Sequence, residues 1–180
     1  MKLKRYLKGD RETLKNFKRL YVAAFPKEER KPFKIISSMH KSGRADMLKI
    51  ESPEGEFLGL AFTVIGEKLV LLDYFAIEEK KRCQGFGEKA LALIKERYPD
   101  KPILIEIEDP DEPSENKAER ARRLAFYERC GMEINSYKIT LFGVKMIMLS
   151  YGGPVPFQDY KSLYSSILPR KIVDKNVTLR

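Results

Sequence analysis

Apolar residues recur every three to four positions from Leu14 through Phe17, Leu20 and Tyr21 to Ala24, which predicts an amphipathic helix. Asp10 stands where an N-cap belongs, and Pro26 stands where the helix must close. A second helix is predicted over residues 28–42, with Phe33, Ile36 and Met39 apolar and Gly43 as its stop. His40 falls in that helix and reads as a surface residue. Residues 2–7 form a short strand candidate. The pattern then changes to strands at 46–51, 57–65 and 69–77, joined through Ser52-Pro53-Glu54-Gly55 and Gly66-Glu67-Lys68 as antiparallel hairpins. A helix over 84–98 ends at Pro99 and leads to the strand Ile103-Leu104-Ile105-Glu106-Ile107, and a crossover of this length implies a parallel pair. A helix over about 115–130 stops at Gly131. Two strands, 134–142 and 144–150, turn at Phe142-Gly143, a helix covers 156–168, and the rest reads as a charged tail. The expected fold is mixed α/β, a mostly antiparallel sheet with one parallel βαβ crossover and flanking helices. Without repeats or linkers, the chain reads as one domain over 1–150, with 151–180 as its C-terminal helix and tail.

Composition narrows the function classes. With 43% hydrophobic and 34% charged residues among 180, the chain has an ordinary globular mix. No apolar run approaches the ~18–20 residues that cross a bilayer, so no membrane partner is expected. Two cysteines, Cys83 and Cys130, and an N-terminus without a secretory stretch fit a reducing cytoplasm. One histidine and no paired cysteines leave no zinc-type ligand set, so no metal is expected. The net charge is +9, and residues 1–50 hold 15 Lys and Arg against 5 Asp and Glu. Such a surplus suits a solvated helical surface, or a module that binds nucleic acid or another polyanion. No nucleic-acid motif accompanies it, which leaves nucleic acid a poor partner.

The sharpest local signal is Arg82-Cys83-Gln84-Gly85-Phe86-Gly87, set between a strand and a helix. Helix N-termini carry unpaired N–H groups and the positive end of the dipole. Glycines let a phosphate approach the backbone, and an arginine adds a charged fork. The same residues can also make a plain turn. Gly85-Phe86-Gly87-Glu88-Lys89-Ala90 matches the G-x-G-x-x-G/A dinucleotide pattern, with Glu106 about 20 residues on. That reading, an NAD-binding redox domain, requires the glycines to follow their strand at once. Here the polar stretch Glu78 to Gln84 intervenes.

The strand–loop–helix from Leu72-Asp73-Tyr74-Phe75-Ala76-Ile77 through Arg82 to Gly87 resembles the R/Q-x-x-G-x-G/A loop of the GNAT superfamily, N-acetyltransferases that use acetyl-CoA. Phe126-Tyr127-Glu128-Arg129-Cys130-Gly131-Met132 is similar to that family's F-Y-x-x-x-G-F helix end. The element order fits over roughly residues 1–150. A glycine is frequent in the family where Cys83 stands, and an asparagine where Arg120 stands; Asn116 lies four residues earlier. The resemblance implies a GNAT-like fold with splayed central strands, and acetyl transfer to a primary amine by direct attack in a ternary complex. It implies that the amides of Gln84, Gly85, Phe86, Gly87 and Glu88 hold the pyrophosphate, with Arg82 and Cys83 in the same loop. Phe75 and Ile77 would pair with the pantetheine arm, and a backbone N–H at Ala76 or Ile77 would hold the acyl oxygen. Tyr127 would be the acid for the departing thiolate. Asp73 and Glu106 are the two candidates for the base, alongside a water chain. The acidic run from Glu106 to Glu112 would either attract a cationic acceptor or serve the N-terminus of the next helix. Family members often dimerise, so a homodimer is an expectation. The other readings are an acyl-CoA or nucleic-acid binding module without catalysis, and the redox domain.

Overall fold

The structure is a computed structural model that describes residues 1–180, the side chain of Glu28 excepted. Its strands follow the order β1-β2-β3-β4-β5-β7-β6-β8 in one sheet, with β4 and β5 parallel and the pairs β1–β2, β2–β3, β5–β7, β7–β6 and β6–β8 antiparallel. The chain divides into two compact units, Met1–Ile65 with Leu72–Arg97, and Gly66–Leu71 with Tyr98–Arg180.

The first unit holds β1 (Lys2–Arg5), α1 (Arg11–Ala24), α2 (Phe33–Lys41), β2 (Ala45–Glu51), β3 (Phe57–Ile65), most of β4 (Val70–Ile77) and α3 (Phe86–Arg97). Asp10 caps α1 as predicted, its side chain accepting the Thr13 N–H at 2.9 Å. Phe17, Leu20, Tyr21 and Ile36 from α1 and α2 pack with Met47, Leu60, Phe62, Tyr74 and Ala76. Ile50, Leu58, Ile77 and Ala90 form a second cluster with Phe75 and Phe86 against it. Alternation along β4 explains the division, because Tyr74 and Ala76 point opposite to Phe75 and Ile77. In β3 a bulge does the same work. Ile50 pairs with Gly59 but Glu51 with Phe57, so the extra residue Leu58 leaves the parity of Leu60 and Phe62 and joins the other cluster.

The predicted helix over 28–42 is shorter. A 3-10 turn covers Lys27–Glu29, and α2 begins only after Pro32. Proline lacks the N–H for a helix interior and biases its predecessor towards extended backbone. Tyrosine hydroxyls take over the polar groups of this segment. Tyr74 OH donates to Glu29 O at 2.9 Å and accepts the Lys31 N–H at 3.0 Å, and Tyr21 OH donates to Lys31 O at 3.0 Å. His40 is buried, contrary to the surface reading. Nε2 lies 3.0 Å from Tyr6 O, and Nδ1 lies 3.2 Å from Ala45 O and 3.3 Å from Met47 N.

In the second unit Val70 and Leu71 pair in parallel with Ile103 and Leu104 of β5 (Ile103–Glu108), the crossover expected from the sequence. β7 (Val144–Tyr151) lies antiparallel to β5 and to β6 (Glu133–Leu141). Phe142 and Gly143 between β6 and β7 both have positive φ, 47° and 85°, as a type I′ hairpin requires. α4 (Lys117–Arg129) and α5 (Phe157–Ile167) match their predicted positions. The tail does not fade into charge. It forms α6 (Arg170–Asn176) and β8 (Val177–Leu179), and β8 pairs with β6 from Ile139 to Leu141. Val173 and Val177 are fully buried and pin these two elements. No helix among the described residues is long and apolar enough to cross a membrane.

Candidate active site

In the first unit β4 ends at Ile77, and a 3-10 turn, Glu79–Lys81, separates it from the loop that enters α3. That turn is why the dinucleotide reading does not hold: the glycines do not leave the strand directly, and the sheet is mostly antiparallel. Arg82 Nε donates to Ile77 O at 3.2 Å, folding the guanidinium back on the strand end. Gln84 Nε2 donates to Lys80 O at 3.1 Å. Cys83 has φ 59° and Gly85 φ 75°. Both are left-handed, a conformation that costs a β-carbon-bearing residue ~1–2 kcal/mol. Cys83 thus bears strain where the resemblance often has glycine. Around Gly85 a Cβ would meet nothing within 4 Å, so the backbone faces open space. Gly85 O accepts the Lys89 N–H at 3.2 Å, and the first-turn N–H groups of α3 point outward from the helix start. Cys83, Gln84 and Glu88 are exposed, while Phe86 and Gly87 are half-buried. An anion fits this cradle of amides, open backbone and arginine.

Strand β4 is braced from β3. A Cβ on Gly59 would sit 2.3 Å from Ala76 O and 3.1 Å from Ile77 Cα. Both neighbours are backbone and cannot swing aside. Gly59→Ala is therefore expected to lower stability by about 2 kcal/mol and to displace the strand at Ala76 and Ile77. An unchanged denaturant midpoint would show that the strand yields freely. A lone glycine inside an apolar strand is the sequence signal for such close approach. Asp73 forms an ion pair with Lys31 at 2.5 Å, and Lys31 Nζ lies 5.5 Å from the Tyr74 ring centroid. Asp73 therefore ties the 26–32 segment to β4.

In the second unit Tyr127 occupies the last turn of α4. Gly131, with φ 73°, donates its N–H to Glu128 O at 2.8 Å, and Met132 donates to Tyr127 O at 3.0 Å. This paired closure is a Schellman motif, and buried Met132 completes it. Tyr127 is buried, and burial pushes its phenol up to about 12, with the Arg123 charge opposing. Arg120 Nη2 bonds Glu108 at 2.5 Å, and Asn116 Nδ2 donates to the same carboxylate at 3.4 Å. The acidic run after β5 is matched by local cations. Asp109 is fully buried and meets Lys138 at 3.0 Å and Arg180 at 2.6 Å, while Glu112 meets Lys145 at 2.8 Å. Glu106 accepts the hydroxyls of Tyr160 and Tyr164 from α5. Sequence reading missed these two partners, although tyrosines four apart on a predicted helix share one face. Among the described residues no group of His, Cys, Asp and Glu is arranged to hold a metal ion.

The buried phenols make an alkaline prediction. Burial raises Tyr21 and Tyr160 strongly, and pushes Tyr127 and Tyr137 up to about 12. A raised native value means the neutral form is favoured in the fold. That stability is complete below the unfolded tyrosine value near ~10 and is lost as pH climbs through the native values. Tyrosinate absorbance is expected to rise together with loss of the far-ultraviolet dichroism signal between about pH 10 and 12. Smooth ionisation of all tyrosines near pH 10 in a protein that stays folded would contradict it.

No family model matches the sequence. The Bacillus subtilis (strain 168) protein named "Putative acetyltransferase YjbC" is 32% identical over 105 residues, 58% of this chain. The match covers 50% of that relative's length, so the chain spans about half of the curated relative. A Bacteroides thetaiotaomicron structure, described as a putative acetyltransferase of the GNAT family, superposes with a TM-score of 0.77 at 19% identity, covering 93% of this chain and 96% of its own. The spermidine N-acetyltransferase of Vibrio cholerae, solved with CoA and spermine, gives a TM-score of 0.61 at 12% identity over 83% of this chain and 94% of its own. With its mostly antiparallel sheet, single parallel β4–β5 pair and flanking helices, the chain has the fold of the GNAT acetyltransferases.

Proposed function

We propose that this protein transfers the acetyl group of acetyl-CoA to a primary amine. The observation that carries the reading is the loop from Arg82 to Gly85, with two left-handed residues opening onto the start of α3. The fold likeness and the acetyltransferase relative support it. The pyrophosphate of acetyl-CoA binds the amides of Gln84 to Glu88 beside Arg82 and Cys83. Phe75 and Ile77 carry the backbone that pairs with the pantetheine arm, and the N–H at Ala76 or Ile77 holds the acyl oxygen. Charged hydrogen bonds of this kind contribute roughly 1.5–3 kcal/mol each.

The reaction needs an amine without its extra proton, a held oxyanion and a donor to sulfur. The ammonium gives a proton to a carboxylate, its lone pair forms the C–N bond, and the C–S bond breaks with both electrons leaving on sulfur. The second nitrogen proton is lost and the thiolate gains one, so the products are the amide and free CoA. Tyr127 is the donor to sulfur. Glu106 is the proton acceptor we favour, because Asp73 is engaged by Lys31 while the Tyr160 and Tyr164 hydroxyls fix the plane of Glu106. A cationic acceptor such as a polyamine is consistent with the acceptor of the Vibrio fold neighbour.

Calorimetric titration with acetyl-CoA, and in parallel with NAD, tests the reading. Micromolar acetyl-CoA binding that weakens about tenfold in Arg82→Ala, a loss near 1.4 kcal/mol, is the expected result. NAD binding without acetyl-CoA binding would sink it. Asp73→Asn, assayed with an amine that turns over, tests the other carboxylate: retained turnover removes Asp73 from the mechanism.

A further inference from the structure

Helix α5 lies beyond the two motifs of the resemblance, yet two of its side chains end on a candidate catalytic carboxylate. We propose that Tyr160 and Tyr164 are positioning residues that orient Glu106 as the proton acceptor for the incoming amine, an inference that rests on the acetyl transfer proposed above. Tyr160 OH donates to Glu106 Oε1 at 2.6 Å, and Tyr164 OH donates to the same oxygen at 2.9 Å, with Oε2 at 3.3 Å. Both rings are buried, 0% and 1% exposed, with centroids 5.1 Å apart. A glutamate's last torsion is broad and nearly two-fold, so an unheld carboxylate samples many planes. Two O–H donors converging on one oxygen fix that plane. They also favour the ionised form, because each hydrogen bond is stronger to a carboxylate than to the neutral acid. Packing alone would not need the hydroxyls, since phenylalanine fills nearly the same volume.

The rest of the surroundings fits a device built around this carboxylate. Tyr137 sits in the irregular stretch of β6 between Ile134 and Lys138, where the register with β7 shifts. Bulges of this kind re-aim side chains. Asn135 anchors the bulge: its Nδ2 donates to Ser150 Oγ at 3.1 Å, and its Oδ1 accepts the Val155 N–H at 2.9 Å. The Tyr137 hydroxyl is buried without a hydrogen-bond partner among the described residues, and its ring meets Phe157 at 5.8 Å. Glu106 and Asp159 both act on it, and Asp159 is paired with Lys68 at 2.8 Å. Among the described residues, Tyr160 and Tyr164 from α5 donate to Glu106, and Tyr137 from β6 is close enough to feel its charge. From β7, Met148 pairs with Glu106 across the ladder and does not titrate. In the reaction Glu106 takes one ammonium proton and passes it to solvent after the C–S bond has broken, so it ends each cycle as the carboxylate that its tyrosines hold.

The test compares wild type with Tyr160→Phe, Tyr164→Phe and Glu106→Gln, all as full chains. Turnover is followed as free CoA thiol with spermidine, a lysine peptide and an aminoglycoside as acceptors. The acid limb of kcat/KM for the acceptor that reacts fastest is measured from pH 5 to 9. The Glu106 carboxyl is titrated by carbon-13 NMR, assigned by its loss in Glu106→Gln. Each phenylalanine variant is expected to raise both the acid limb and the carboxyl midpoint by about one pH unit, a tenfold loss at low pH. Acetyl-CoA affinity should stay at the wild-type value. Turnover with an unmoved acid limb and carboxyl midpoint would overturn the positioning role alone, leaving the tyrosines as packing. Acetyl-CoA binding with no turnover of any acceptor would remove the proposed reaction and this role with it. If a variant fails to fold, the other phenylalanine variant gives the same readouts.

Discussion

Asp109→Ala is expected to destabilise the protein by about 3 kcal/mol, more than a hundredfold in the folding equilibrium. The carboxylate is fully buried, and accepts from Lys138 at 3.0 Å, Arg180 at 2.6 Å and the Asp111 N–H at 3.1 Å. Burial alone would raise its pKa, but Lys138, the Asp111 N–H and Arg180 outweigh it, and the net shift is downward. A lowered native value contributes stability that is present above the unfolded carboxylate value and is lost as pH falls through the native one. Removing the carboxylate leaves Lys138 with only Asp111 and Arg180 with only Glu112, and loosens the end of β8. The loss falls at the lower end for a broken buried pair, because Lys138 and Arg180 are partly open to water and can rehydrate. Urea midpoints of wild type and variant at neutral pH measure it, and hydrogen exchange at Thr178 and Arg180, whose N–H groups face β6, reports whether β8 detaches. An unchanged midpoint would mean that the cluster is held without Asp109.

The second large effect concerns catalysis. Tyr127→Phe is expected to lower kcat about a hundredfold or more while acetyl-CoA affinity stays near the wild-type value, the pattern of a group that acts only as charge develops on sulfur. Burial keeps the phenol protonated at neutral pH, with its pKa pushed up to about 12. Complete transfer of its proton to a thiolate of ordinary pKa near ~8.5 is uphill by about 5 kcal/mol. In the reaction we propose, Tyr127 would therefore act mainly by hydrogen-bonding the nascent thiolate, which would take its proton as it leaves. No alkaline fall in rate from Tyr127 is expected below about pH 11. Equal losses in kcat and acetyl-CoA affinity would instead make Tyr127 a packing residue at the end of α4.

Much of this fold was legible along the chain because its signals are local. The Asp10 cap, the Gly131 stop and the Phe142-Gly143 turn each depend on a few neighbouring residues and came out as read. The loop from Arg82 to Gly87 was legible for the same reason: its glycine spacing fixes where the backbone opens. Less legible were features whose partners are distant in sequence. The tail looked like loose charge because its two buried anchors, Val173 and Val177, sit among polar residues and become a core only when β8 meets β6. His40 looked exposed because one of its partners is Tyr6 O, 34 positions away.

The sequence by itself determined the order of helices and strands as far as α5, the single parallel crossover and the position of the candidate phosphate loop, since periodicity and turn chemistry act within a few residues. Only the tertiary structure decided how the charged side chains are spent. It set Asp73 against Lys31, closed the acidic run with Arg120, Lys138, Lys145 and Arg180, and brought Tyr160 and Tyr164 onto Glu106 from more than fifty residues away. Coulomb and hydrogen-bond energies depend on distance in space and on burial, and neither is encoded in spacing along the chain.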